Sequence, residues 1–203
     1  MEGFEKPFNF LREINNDFEP ISFSSFVNAV TNCKNNYDLT EINQFYEDLK
    51  NKRSPRLIIN KPLFYNYSYL ITSIFPLYAI FDQDIDIITI SCNEILSKTS
   101  NMIRHDLFHE FKLGRYFDIS LLKNIYSTSL FGSLVGRGCK ILILDDLSFG
   151  NELIDDNTIT EWLINYAYTR LYPNFGIICL NSSNNRNNAS ENFIRSLKNK
   201  MEI

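Results

Sequence analysis

The sequence predicts an α/β domain, a parallel sheet with helices on both faces, and three observations predict it. The runs "RLIIN", "DIITIS", "KILILDD" and "FGIICLNS" are almost continuously apolar, as strands buried on both sides must be. Segments between them carry apolar residues at three- and four-residue spacing, the period of a helix packed on a sheet. The 203 residues, 44% hydrophobic and 22% charged, describe an ordinary globular chain long enough for one sizeable core.

Two domains are expected: an N-terminal helical extension, residues 1–54, and the α/β domain, residues 55–203. In the first, Phe23, Phe26, Val27 and Val30 share one helical face; Ile42, Phe45, Tyr46 and Leu49 share another, after a capping Thr40. The basic, proline-containing turn "NKRSPR" marks the boundary. The first strand is then Arg56–Asn60. An aromatic stretch from Phe64 to Phe81 follows, and Pro76 should kink or divide a helix there. Asp86–Ser91 is the second strand, followed by a helix from about Asn93 to Ile103. Gly114–Ile119 reads as a third strand, with Ser120 capping a helix that carries Leu121, Leu122, Ile125 and Leu130. Lys140–Asp146 is the fourth strand. "TITE", Thr158–Glu161, has the form of a capping box and opens a helix with Ile159, Trp162, Leu163 and Tyr166 on one face. Phe175–Ser182 is the fifth strand, a polar asparagine-rich loop follows, and a last helix carries Phe193, Ile194 and Leu197.

Several function classes find no support. Cys33, Cys92, Cys139 and Cys179 show no metal-ligand spacing; the last three lie in or beside expected strands and read as buried free thiols of a reducing compartment. No signal peptide and no apolar run of membrane-spanning length appears, so the expected location is the nucleus, with the cytoplasm as the alternative. His105 and His109 lie four apart but lack a clear third ligand, and read as a solvated polar face rather than a metal site. A net charge of −4 argues against a protein whose main task is gripping bare nucleic acid. Candidate DNA contacts are nonetheless Arg186, Arg195, Lys198 and Lys200 near the C-terminus, and Lys50, Lys52, Arg53 and Arg56 at the boundary. The aromatic surplus, 17 Phe and 11 Tyr, suits either a partner interface or packing within the fold.

"KILILDD" is also the form taken by the acidic strand of a phosphate-binding ATPase. The glycine-rich loop that should accompany it belongs after the first strand, where "KPLFYNYS", Lys61–Ser68, stands. Against GxxxxGK[ST], Ser68 fits the last position, whereas Lys61 and Asn66 replace the glycines and Tyr67 replaces the lysine. Inward-turned amides need glycine, and the outer phosphates need a lysine's charge. Pro62 removes a donor, and Phe64, Tyr65 and Tyr67 would crowd the cradle. Lys61, Ser68, Asp145 and Asp146 therefore form a degenerate nucleotide site, with no catalytic residue and no cofactor expected.

With "KPLFYNYS", "GRYFDISLLKNIY", "ILILDDLSF" and "FGIICLNSS" in this order, the chain from Arg56 to Ser183 resembles a RecA-like P-loop core. It is most similar to the short, non-catalytic recombinase paralogues of the Shu-complex type. The resemblance implies a pseudo-ATPase rather than an enzyme. Its partners would be other RecA-like paralogue subunits in a hetero-oligomer, and single-stranded DNA reached through that complex. Its task would be recombinase filament assembly in homologous recombination and DNA repair. Two other families are similar: the RecA-like subunits of Elongator, which serve tRNA wobble-uridine modification, and the DnaC-type helicase loaders of DNA replication. No glycine-rich lead-in precedes the loop, and the chain stops soon after the fifth strand, where full recombinases continue.

Overall fold

The computed structural model describes residues 22–31, 37–61, 67–83, 85–113, 118–147, 154–182 and 189–201. Its centre is a five-stranded, all-parallel sheet in the order β1-β5-β4-β2-β3. The strands are β1 (Arg56–Lys61), β2 (Ile87–Ser91), β3 (Ile125–Ser129), β4 (Cys139–Asp145) and β5 (Leu171–Ser182). Because successive side chains alternate, the apolar runs feed two cores. Ile59, Ile87, Ile141, Ile143, Ile178 and Leu180 point to one face; Ile88, Ile90, Leu142, Leu144, Ile177 and Cys179 point to the other.

The first face is covered by α1 (Phe23–Thr31), α2 (Thr40–Lys50), α3 (residues 67–83) and α4 (Glu94–Glu110). The second carries α5 (residues 156–170) and α6 (Ala189–Met201). The two N-terminal helices present the expected faces, and these join the same hydrophobic cluster as the sheet. Phe23, Phe26, Phe45 and Tyr46 meet Phe75, Tyr78 and Phe81 in edge-on or tilted pairs. These aromatics therefore pack within the fold; those of Phe4–Phe18 lie outside the described residues. Gly176 of β5 shows how close the fit is, because a Cβ there would stand 2.5 Å from the Phe45 ring.

Several expectations need correction. Of the expected strand Gly114–Ile119, residues 114–117 lie outside the described residues; Asp118 and Ile119 are not strand, since Ile119–Asn124 is a 3-10 turn capped by the Asp118 carboxylate. The third strand is Ile125–Ser129, where a helix was expected. Leu121, Leu122 and Ile125 have helical spacing, but the Ser-Thr-Ser that follows competes with helix and suits a half-buried edge strand. Leu39, not Thr40, occupies the N-cap of α2. Asp155, three residues before the expected capping box, caps α5 by accepting the amides of Asn157 and Thr158, both at 3.0 Å. The helix after β2 runs on to Glu110, and β5 begins at Leu171.

Pro76 does not divide α3. The helix passes from an α turn, Tyr67–Tyr69, through a π stretch, Leu70–Ile74, into a second α segment, Phe75–Gln83. Proline has no amide to give the carbonyl four residues back, and the wider turn just before it absorbs that loss. The carbonyl in question is that of Thr72, and it accepts Arg104 Nη1 at 2.5 Å instead.

Candidate functional site

The strand order places the chemistry-bearing residues at one end. After β1 and β2 the chain enters helices on the first face; after β4 and β5 it enters helices on the second. Neighbouring strands thus part in opposite directions between β1 and β5 and between β4 and β2. In a doubly wound sheet such points open a crevice at the carboxyl ends of the strands.

Asp145, the last residue of β4, points to the first face and is only 3% exposed. Ser68, in the first turn of α3, donates its hydroxyl to Asp145 Oδ1 at 2.8 Å. Two residues 77 positions apart are thereby joined at the mouth of the sheet. Burial pushes the Asp145 carboxyl up to about 6; the Ser68 hydrogen bond opposes that rise and the Asp146 charge adds to it. Asp146 stands at φ 51, a left-handed turn that a short polar side chain tolerates, and its amide donates to the Leu180 carbonyl at 2.9 Å. Cys92, just past β2, senses the same charges: burial first, then Asp145 and Asp146, push its thiol up to about 11. Ser91 faces Asp145 in register on the adjoining strand, and its buried hydroxyl has no hydrogen-bond partner among the described residues.

Beneath this pair runs a buried polar seam. The Thr72 hydroxyl donates to the Ser68 carbonyl at 2.6 Å and lies 3.1 Å from Ser100 Oγ. Arg104, 1% exposed, spans the seam. Its guanidinium donates to the Thr72 carbonyl and to Ser127 Oγ, each at 2.5 Å, and to Asn101 Oδ1 at 3.3 Å; Ser127 Oγ in turn meets Thr89 Oγ1 at 2.6 Å. No carboxylate among the described residues pairs with it, and burial brings its pKa down to about 10. On the second face, Asn181 near the end of β5, 4% exposed, donates to Asn60 Oδ1 at 3.1 Å and to Glu191 Oε1 at 3.4 Å.

Tyr67 is the residue that the comparison with GxxxxGK[ST] sets against the lysine. Its ring is 7% exposed, belongs to the core, and packs edge-on against Tyr37 with centroids 5.5 Å apart. A buried tyrosine offers no positive charge and so does not fit the outer-phosphate contact that a P-loop lysine makes.

Of the expected site residues, Ser68 and Asp145 come together and Asp146 adjoins them. The side chains of Lys61, Lys198 and Lys200, and the whole of Arg186, lie outside the described residues. Arg195 is exposed on α6 and 3.5 Å from Glu191. At the boundary, Lys50 pairs with Glu47 at 2.9 Å and Asp82 at 3.8 Å, and Arg53 with Asp48 at 2.9 Å, which reduces the positive field these residues could offer to phosphates. His105 and His109 are exposed, and no group of three metal-ligating side chains occurs among the described residues. No described helix is long and apolar enough to cross a membrane.

Arg104, Thr72 and Ser91 were not singled out from the sequence; Cys92 was read as a buried free thiol, which it is, but not as a neighbour of the Asp145 carboxylate. One signal was available: Ser97, Ser100, Arg104, Leu107 and Phe108 share the buried face of α4, so an arginine sits on an otherwise apolar or small stripe. No protein-family model matches the chain, and no curated protein matches its sequence.

Proposed function

We propose that this chain is a RecA-like, P-loop-derived subunit whose phosphate site has decayed and which works without hydrolysing ATP. Its role is structural, in a hetero-oligomer with other RecA-like subunits that assists recombinase filament assembly in homologous recombination. The observation that carries the decay is the pairing of opposites at adjacent positions. Ser68 keeps its contact with the acidic strand, whereas Tyr67 is turned into the core. The pathway rests on the resemblance of "KPLFYNYS", "ILILDDLSF" and "FGIICLNSS" in this order. The ion pairs of Lys50 and Arg53 at the boundary, and of Arg195 on α6, favour DNA contact made by the assembly rather than by these residues.

The test is affinity purification of the tagged protein from its own cells, with mass spectrometry of what accompanies it. RecA-like recombinase paralogues in near-stoichiometric amount are expected. Elongator subunits would move the chain to tRNA wobble-uridine modification, and replicative helicase alone would move it to helicase loading. A clean eluate would contradict the structural-subunit role.

A further inference from the structure

A buried guanidinium with no carboxylate partner is costly, and such a group is kept where its geometry serves something else. Arg104 reaches three acceptors on three elements: the Thr72 carbonyl in α3, Ser127 Oγ in β3 and Asn101 Oδ1 in its own helix α4. The first of these is open because Pro76 supplies no amide to it. The same threonine holds the Ser68 carbonyl through its hydroxyl, at 2.6 Å, and Ser68 reaches Asp145 at 2.8 Å. The chain Ser127, Arg104, Thr72, Ser68, Asp145 thus runs without a break from the edge strand to the acidic strand. Each link crosses from one element to the next, except the single helical turn between Ser68 and Thr72.

We infer that Arg104 is the positioning residue of this site: it holds Thr72 by its carbonyl, and Thr72, through the π turn of α3 and its own hydroxyl on the Ser68 carbonyl, sets the place of Ser68 against Asp145. A lysine is a poor substitute, because one ammonium on a flexible stem lacks the planar fork that binds Thr72 and Ser127 together. The inference deepens the proposed function, since it concerns the pair that reading treats as retained. It is tested without nucleotide, so it stands or falls separately from the question of ATP binding.

The experiment is a set of crystal structures of the full chain: wild type, Arg104→Lys and Thr72→Val. Thr72→Val cuts the hydroxyl link while keeping shape and the carbonyl, and serves if Arg104→Lys does not fold. In wild type, Ser68 Oγ should lie within hydrogen-bond distance of Asp145 Oδ1. In either variant it should have moved beyond about 3.5 Å, the limit of a hydrogen bond. A variant that is less stable yet keeps Ser68 on Asp145 would overturn the inference and leave Arg104 a packing residue only. So would a wild-type structure in which Arg104 turns away from the Thr72 carbonyl.

Discussion

Asp145 is a buried carboxylate that accepts the Ser68 hydroxyl, and its burial has a direct thermodynamic consequence. Its ordinary value is 3.8, and burial brings it to about 6 in the folded chain. Between these two values the folded state binds more protons than the unfolded one, so stability falls as pH rises through that window. Above it the cost is complete, and a rise of about two units corresponds to about 3 kcal/mol. Asp145→Asn keeps an oxygen for Ser68 and removes the charge. It should therefore stabilise the protein by about 1–3 kcal/mol near pH 7.5 and by almost nothing near pH 4, read from urea denaturation at the two pH values. Equal destabilisation at both would show that the carboxylate is better solvated than its burial implies. A residue whose charge costs stability is the kind retained for a site rather than for the fold. Ser68 and Asp145 could both be found from "KPLFYNYS" and "KILILDD", because each occupies the position its motif requires. Arg104 could be noticed as an arginine on a buried helix face, but not its role, which depends on the Thr72 carbonyl 32 residues earlier, left open by Pro76.

At the scale of elements, β2, β4 and the Phe175–Leu180 part of β5 were readable because a strand buried on both faces has almost no polar residue to confuse it. The edge strand β1 was readable by its Leu-Ile-Ile run. The other edge strand, β3, was not. Its half-buried Tyr-Ser-Thr-Ser carries no such signal, and the preceding leucines imitate a helix. At Pro76 a kink or a break was expected, and the π turn that the helix uses instead of a break was not readable. Proline was weighed against an α helix, whereas the chain uses a π turn and an arginine from another helix. Packing of α2 on β5 also escapes any local pattern, since it needs Gly176 beneath Phe45. Gly176→Ala should cost about 1–3 kcal/mol, the usual penalty of overpacking, measured as a lowered midpoint in urea. Gly176→Ala combined with Phe45→Leu should cost less than the two changes added together, because the smaller side chain makes room. Strict additivity would mean that α2 does not press on the sheet there.

For the whole molecule, the sheet order brings β1 and β4 to the same end with β5 between them, which is what lets a serine after one meet an aspartate ending the other. The same end holds Tyr67, which packs on Tyr37 and has no positive charge to offer a phosphate. On the proposed function, the scaffold of a nucleotide site persists while its phosphate grip is gone. Thermal unfolding of the full chain with and without about 1 mM MgATP tests this most directly. A site with a dissociation constant near 10 µM would add about 2.7 kcal/mol at that concentration and raise the midpoint by about 5–10 °C. The account expects a change below about 1 °C, in wild type and in Asp145→Asn alike. A rise of several degrees in wild type that disappears in Asp145→Asn would contradict it and make the chain a nucleotide-binding protein.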